Sequence, residues 1–520
     1  MSNLSFQFNL RRLLALGVSV ALLLPVIPAA AEAPVPAAGK GTAVASSADS
    51  LPSGGKRVLR IGSLWSNGDD TYLRQSFTDL YELTHPDVKL EFVPAVDVEK
   101  SRFTGSYMPD GPDAQKLMRN AMLGSDPVDI IIGDSSLIQN LADQNLLAPL
   151  QPLIDRDAYD LSNMAPTMLN GVRALGRGHL FALAPTFSAS VLYYNKGIFD
   201  KAGAAYPVDG MTWDELFALA GKVTKTSKQG EGRIYGFSMS RYVGDPFWDL
   251  QSYLSPLQAA VYDNQGRAMT VNNAVWSEGW TTFSTLMQKQ IIPDPADIEA
   301  AAAAGSAAQG EGEFNPLQGD LFLTGGAAMV IGDYGYLNDL AAVDRNAYRI
   351  KNYSPVDWGI AEVPSFAGKP GVAVGASLDN MLAINSTAQN AEDAWELIKY
   401  VNSNEAARIK SNNRYQLTSR MDYNSPQKAG ISLAPFYNLK PVPVSPSFPN
   451  SLQFRMENLY QVNQAGQMLF NEVVQGKRTV ANALKAWEQQ GNHMLNAMRK
   501  DPAVFFNLDN GWLEASRKNK

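Results

Sequence analysis

Residues 191–223 read VLYYNKGIFDKAGAAYPVDGMTWDELFALAGKV. An aromatic, β-branched run ends at Tyr193-Tyr194-Asn195-Lys196, the composition of a strand that gives way to a short amphipathic piece. A turn follows, and then a helix whose start is written in the chain. Thr212 at the N-cap and Glu215 three residues later form a capping box, each side chain serving an amide that the first helical turn leaves unpaired. Trp213, Leu216, Phe217 and Ala220 recur at helical spacing and predict one buried face.

Outward from this stretch, 520 residues bury a large core and divide into two or more domains. Hydrophobic content of 45% with 18% charged residues is globular. The formal charge is −7, and −9 once residues 1–31, with Arg11 and Arg12 and no acid, are set aside. An acidic surface disfavours nucleic acid and anionic membrane. No Cys is present, so disulfides, thiolate chemistry and Cys-based metal sites are excluded. His85, His179 and His493 are the only histidines, and no two stand at i,i+4, so no metal site or cofactor is expected.

Arg11-Arg12, the apolar run Leu13–Ile27 and the small residues at Ala29–Ala31 and Ala33 have the order of a signal peptide over 1–31. Pro25 and Pro28 interrupt the run as a membrane span, although an uncleaved anchor stays open. Residues 32–57, rich in Pro, Ala, Gly and Ser, read as a disordered tether. The folded body then alternates. A strand is predicted over 58–65, a helix over Thr71–Thr84, a strand over 89–95, a helix over 113–123 and a buried strand over 129–134. That order implies a parallel sheet with helices on both sides. The Ala-rich stretch 296–313 is low-complexity and is assigned no ligand role.

The opening stretch closely resembles the YNK-x-x-F-x-K-A-G … P-x-x-TW-x-E-L signature of bacterial family 1 extracellular solute-binding proteins, of the sugar-type, maltose-binding-protein-like kind. Further collinear matches run through about 58–495. They include WSNGDDTYLRQSFTDLYELTHPDVKLEFV, KLMRNAMLGSDPVDIII, LADQNLLAPLQPLID, LFLTGGAAMVIGDYGYLNDL and NAEDAWELIKYVNSNEAA. One departs from the pattern, because Val128 separates Pro127 from Asp129. The resemblance implies a two-lobe α/β periplasmic-binding-protein-like (type II) fold with an interlobe ligand cleft and a hinge. Lobe 1 is expected at 58–186 plus 375–415 and lobe 2 at 187–374 plus 416–520, with crossings near 186–190 and 368–376. It also implies an exported, monomeric receptor of an ABC importer, partnered by membrane permeases, with a carbohydrate ligand. Many Gram-positive members carry a lipidated Cys after the signal. This chain has none, so its retention in a periplasm, by a signal anchor, or not at all stays open.

In an open α/β lobe, ligands sit beyond the carboxyl ends of the strands. The candidates are therefore Trp65, Asn67 and Asp69 after the first strand, Asp134 and Ser135 after the third, and Phe187 and Ser188 at the first crossing. Asp333, Tyr334 and Tyr336 follow AAMVIG, and Ser377 marks the return crossing. Trp248 sits in the amphipathic DPFWDLQSYL and serves as a core residue or a ligand platform. Asn67-Gly68-Asp69 reproduces the N-G-D loop from which sugar receptors of the family touch ligand. Asp and Asn take two hydroxyls at once, and flat rings pack on sugar C–H faces. These loops offer no Lys or Arg cluster, which argues against an anionic ligand. Asp134 caps the following helix on the alternative reading, while Asp126 and Asp129 read as solvated or capping.

The chain carries no G-x-S-x-G elbow, no P-loop and no G-x-G-x-x-G after the first strand, so no catalytic residue is assigned. Three other readings stay open: a secreted carbohydrate-active enzyme with paired carboxylates, a tethered sensory or adhesive module, and a receptor for a peptide, polyamine or metal.

Overall fold

The structure is a computed structural model. It describes residues 57–66, 68–99, 103, 111–226, 232–297, 316–317, 319–351, 353–444, 452, 456–508 and 514–516. The leader expected at 1–31, nearly all of the 32–57 tether, Asn67 and most of the Ala-rich stretch lie outside the described residues.

The strands that matter to the site are β1 (Arg57–Ser66), β2 (Val88–Asp97), β3 (Ile130–Gly133), β4 (Ala182–Leu183) and β5 (Thr186–Phe187). They continue with β6 (Ser190–Asn195), β7 (Met329–Asp333), β8 (Trp358–Ala361), β9 (Met381–Ile384) and β10 (Leu417–Thr418). One sheet has the order β2-β1-β3-β9-β4. As the strand–helix alternation predicts, β1 runs parallel to β2 and β3. β9 returns antiparallel to β3 and β4, closing the sheet with a strand from the far end of the chain. Ser66 pairs with Asp97 and Ser63 with Ile132, so the carboxyl ends of three strands meet at one edge.

The second sheet, β7-β6-β8, is antiparallel throughout. Asn195 ends β6 and caps the helix Lys196–Ala202 by accepting from the Ile198 amide at 3.3 Å. The capping box then starts the helix Trp213–Val223, with Thr212 N–H donating to Glu215 at 2.8 Å and Glu215 N–H donating back to Thr212 Oγ1 at 3.3 Å. Trp213, Leu216, Phe217 and Ala220 are buried, the face predicted from their spacing.

Two hydrophobic clusters surround the sheets, and the second sheet faces both, with Val191, Tyr193 and Val330 in the first and Leu192 and Met329 in the second. Leu59, Ile61, Ile130–Ile132, Leu382, Ile384 and Trp395 pack around the first. Trp213, Phe247, Trp280, Phe470 and Trp487 form an aromatic cluster beside the second, with Trp280 stacked on Trp487 at 5.6 Å. Burying such rings stabilises each half by roughly 1.5–3 kcal/mol per large side chain. Asp129, expected at the surface or at a cap, is fully buried. It accepts from the Arg60 amide at 3.0 Å and the Asn390 amide at 2.9 Å, so one carboxylate joins β1 to the start of the helix Ala391–Val401. The helix predicted over Thr71–Thr84 is present with a π-helical turn at Arg74–Thr78.

The chain crosses between the halves at Ser188 and returns at Ser377, and these two residues form an antiparallel bridge. Beside it, β10 pairs with β5. Arg420, at the start of the segment that the sequence division gives to lobe 2, is buried. It donates to the carbonyls of Asp160 at 2.8 Å and Asn402 at 3.0 Å, both in the lobe 1 spans.

Candidate functional site

Two cavities flank the turn that starts the helix Ser135–Asp143. The first, of about 880 Å³, lies at the aligned carboxyl ends of β1, β2 and β3. Trp65, Asp69, Asp97 and Asp134 line it, together with Tyr72, Asp379 and Asn380. The loop after β1 is held by its own polar groups. Ser66 Oγ donates to the Asp69 carbonyl at 3.2 Å and accepts from Gly68 N–H at 3.1 Å. Gly68 has φ +92°, a left-handed conformation that only glycine adopts freely. Asp69 Oδ1 accepts from Thr71 N–H at 3.0 Å, while Asp70 is neutralised by Arg74 at 2.8 Å. Asp134 caps its helix, accepting from Leu137 N–H at 2.9 Å with one oxygen. Its carboxylate stays exposed at the cavity edge.

Asp69, Asp70, Asp97, Asp134 and Asp379 make this wall acidic, and among the described residues no Lys, Arg or His lines it. Tyr72 is 61% exposed, and its hydroxyl accepts from Asn380 Nδ2 at 3.3 Å. Tyr72, Asp97, Asp379 and Asn380 were missed from sequence. The one signal available was position, since Asp379 and Asn380 follow the return crossing directly. Among the described residues no group of three or more His, Asp or Glu is arranged to hold a metal ion.

The second cavity, of about 640 Å³, is bounded by Ser136 on one side and by Trp248, Gln251, Tyr262 and Asn463 on the other. Gly375 and Ala376, from the return crossing, close one end. Trp248 lies on the helix Pro246–Leu254, whose buried face carries Phe247, Leu250, Tyr253 and Leu254. Trp248 points the other way and is 54% exposed, so it is not the core residue that amphipathic spacing also allowed.

The family model of bacterial extracellular solute-binding proteins matches residues 65–408. This chain belongs to that family. Solved structures agree on the fold. An extracellular solute-binding protein, family 1, from Alicyclobacillus acidocaldarius matches with TM-score 0.53 at 14% identity over 86% of this chain and all of that one. A sugar transporter protein of Rhizobium etli, in an open conformation, matches with TM-score 0.52 at 20% identity over 84% and 99%. The sugar-binding protein MalE of Xanthomonas citri matches with TM-score 0.50 at 16% identity over 85% and 98%. At these identities the likeness is one of fold. Among curated proteins, a candidate binding protein of Brucella abortus is 28% identical over 186 residues. The match spans 35% of this chain and 42% of that relative's length.

In this solute-binding protein the two sheets are the cores of two lobes, and the bridged crossings lie between them. Of the residues singled out from sequence, Trp65, Asp69 and Asp134 gather on the first cavity and Trp248 stands on the second. Asn67 lies outside the described residues. Ser135 Oγ donates to the Leu378 carbonyl at 3.1 Å, tying the helix start to the return crossing. Ser188 and Ser377 form the crossing bridge, and Ser377 Oγ donates to Asp379 at 3.2 Å. Phe187 is 2% exposed and packs near Tyr437.

The Asp333–Tyr336 group lines neither cavity. Asp333 Oδ1 accepts from Tyr336 N–H at 3.0 Å, starting the helix Tyr336–Asn346. Tyr334 is buried, with its hydroxyl donating to the Ser425 carbonyl at 2.9 Å. Tyr336 is 2% exposed and donates to Asp320 at 3.0 Å. Burial pushes both phenols above their ordinary value. Their hydroxyls are engaged within the protein, so these tyrosines shape the second lobe.

Proposed function

We propose that this protein is the extracytoplasmic receptor of an ABC importer, and that it closes its lobes on a sugar or oligosaccharide and delivers it to membrane permeases. The observation that carries the reading is the pairing of the two walls. One presents Trp65 among carboxylates, the other an exposed Trp248 among side chains that, over the described residues, are uncharged. Rings accept the C–H face of a pyranose, and Asp and Asn accept or bridge its hydroxyls. Trp65, Asn67, Asp69, Asp134 and Trp248 are the proposed contacts, with Ser135, Ser188 and Ser377 positioning the walls. The names of the Rhizobium etli and Xanthomonas citri neighbours, a sugar transporter and a sugar-binding protein, support a carbohydrate.

Closure follows from differential contact. A ligand held by one wall in the open state gains the second wall when the lobes meet, and that extra affinity shifts the population toward the closed form. A leader over residues 1–31 places the receptor outside the cytoplasm, and the permeases' ATPase supplies the energy for transport.

A second reading is favoured by the five carboxylates of the first cavity, which suit a cationic solute such as a polyamine or amino sugar. One experiment separates the two. A thermal-shift screen against neutral sugars, amino sugars and polyamines is followed by calorimetry and recovery of the ligand. A ligand at 100 times its Kd stabilises the fold by about 2.7 kcal/mol. A saturable shift with a neutral sugar recovered intact supports the importer receptor. A shift with polyamines alone replaces the ligand class, and breakdown of the sugar replaces the receptor with an enzyme.

A further inference from the structure

The helix over Thr71–Thr84 is irregular where it adjoins the first cavity. Between Arg74 and Thr78 it widens into a π-turn, in which Asp79 N–H donates to the Arg74 carbonyl five residues back. Such a turn takes up one residue more than an α-turn. Everything before it is therefore rotated by about 100°, one residue's share of a 3.6-residue turn. Before the turn lies cavity wall, since Asp69, Asp70, Tyr72 and Leu73 line the 880 Å³ cavity. Within and after it lies core, since Phe77, Thr78 and Tyr81 are buried. The π-turn thus sets the angle between the residues that line the cavity and the residues that pack inside.

π-turns are rare, and one persists where its surroundings hold it. Two cations do so here. Arg74 ties the ends of the turn together, pairing with Asp70 at 2.8 Å on one side and Glu82 at 2.5 Å on the other. Lys410 comes from the end of the helix Asn404–Lys410, 334 residues on from Ser76. Its ammonium donates to the Ser76 carbonyl inside the turn and lies 4.9 Å from the centre of the Phe77 ring. A lysine in the last turn of a helix ordinarily keeps its charge in water near its own helix's carbonyls. Lys410 gives that up, and burial pushes its ammonium down to about 8 from 10.5 with no carboxylate opposing the shift. Burying an ammonium is costly, so packing alone would favour an apolar side chain at this position.

We infer that Lys410 is a positioning residue of the ligand wall, holding the π-turn through the Ser76 carbonyl and so aiming Tyr72 into the first cavity. This rests on the reading of that cavity as part of the solute site. Arg74 clamps the ends of the turn, and Lys410 secures the carbonyl between them.

The chain has no Cys, so paired spin labels read this geometry without a ligand. Tyr72→Cys is labelled together with Asn120→Cys on the helix Gly111–Leu123, or with Asn170→Cys on the helix Pro166–Leu175, both exposed positions. A side chain at the rim of a helix, about 5–6 Å from its axis, travels about 8 Å in a 100° rotation. Lys410→Met keeps the apolar stem and removes the donor. Deletion of the exposed Gln75 takes out the extra residue itself. Both changes are expected to move the Tyr72 label by several ångströms against at least one reference and to leave Tm within a few degrees of the parent. Lys410→Met added to the deletion is expected to move it no further. In the unlabelled proteins, calorimetry uses glucose, galactose, mannose and xylose with disaccharides built from each. Affinity is expected to fall about fivefold in Lys410→Met and in the deletion. Tyr72→Ala is expected to cost about as much in the parent and less than about twofold in Lys410→Met, because the two residues act as one. Label distances unchanged in Lys410→Met overturn the positioning role. Distances that shift while affinity stays the same overturn its link to the ligand. A parent that binds none of the sugars overturns the sugar reading instead, and the label distances alone then decide the role of Lys410.

Discussion

Ser188 and Ser377 exchange both main-chain hydrogen bonds, Ser188 N–H to the Ser377 carbonyl at 3.1 Å and Ser377 N–H to the Ser188 carbonyl at 2.9 Å. The chain thus crosses between its two sheets twice at one place, and the two crossings are stitched together. Lobe motion pivots where few bonds need to break, and a paired two-strand connection bends without losing its ladder. Replacing the Ser377 amide tests this. Ser377→Pro removes the donor to Ser188 and is predicted to cost about 1 kcal/mol of stability. Ser377→Ala retains it and is predicted to stay within about 0.5 kcal/mol. Small-angle scattering with and without ligand checks the hinge. The parent and Ser377→Ala are expected to contract on binding, and Ser377→Pro to contract less.

Asp134 uses one carboxylate oxygen as a helix cap and presents the other at the first cavity. Asn caps as well as Asp, whereas Ala does not. Asp134→Asn is therefore predicted to keep its Tm and to lose about tenfold in ligand affinity. Asp134→Ala is predicted to lose that affinity and about 1 kcal/mol of stability as well. Equal affinity in the parent and Asp134→Asn would remove the carboxylate from the site.

Trp248 is exposed on a helix whose opposite face is buried. Trp248→Ala is predicted to change stability by less than about 1 kcal/mol, since little packing is lost. Its ligand affinity is predicted to fall by about tenfold, the value of one ring–ring stack. Tryptophan fluorescence gives the direct readout. A change on ligand addition in the parent should be largely absent in Trp248→Ala.

Asp249 follows Trp248 and stands one turn after Asp245, which Gln467 engages. Burial, reinforced by the Asp245 charge, pushes its carboxyl up to about 7 from 3.8. In the unfolded chain it ionises near the lower value. Between about pH 4 and pH 7 the folded state therefore holds a proton that the unfolded state has released. By linkage, stability falls as pH rises through that window, and the full penalty is present above the folded value. Asp249→Asn is predicted to raise stability at pH 8 by about 1–4 kcal/mol and to leave it unchanged at pH ~2.5, where both states are protonated. Melting curves at the two pH values decide it, and a variant equally stabilised at both would place the effect outside ionisation.

What the sequence determined was local or periodic. The Thr212–Glu215 capping box, the Asn195 cap, the strands at 58–65 and 89–95 and the buried face of Trp213–Ala220 each depend on residues within a few positions of one another. The caps close their hydrogen bonds within one helical turn, and the strands and the buried face follow the local alternation of residue types, so spacing is sufficient to read them. The collinear order of such units carried the family and the two-lobe fold. Tertiary structure decided which polar groups meet. Asp129 left the surface because Arg60 and Asn390, far away in sequence, bring their amides to it. Trp248 left the core because its helix buries the opposite face against Phe470 and Trp487. Tyr334 and Tyr336 were drawn inward by Ser425 and Asp320. Gln251 and Asn463, unremarkable and far apart in the sequence, line one cavity only in the folded chain. Long-range packing fixes these placements, and no local spacing encodes it.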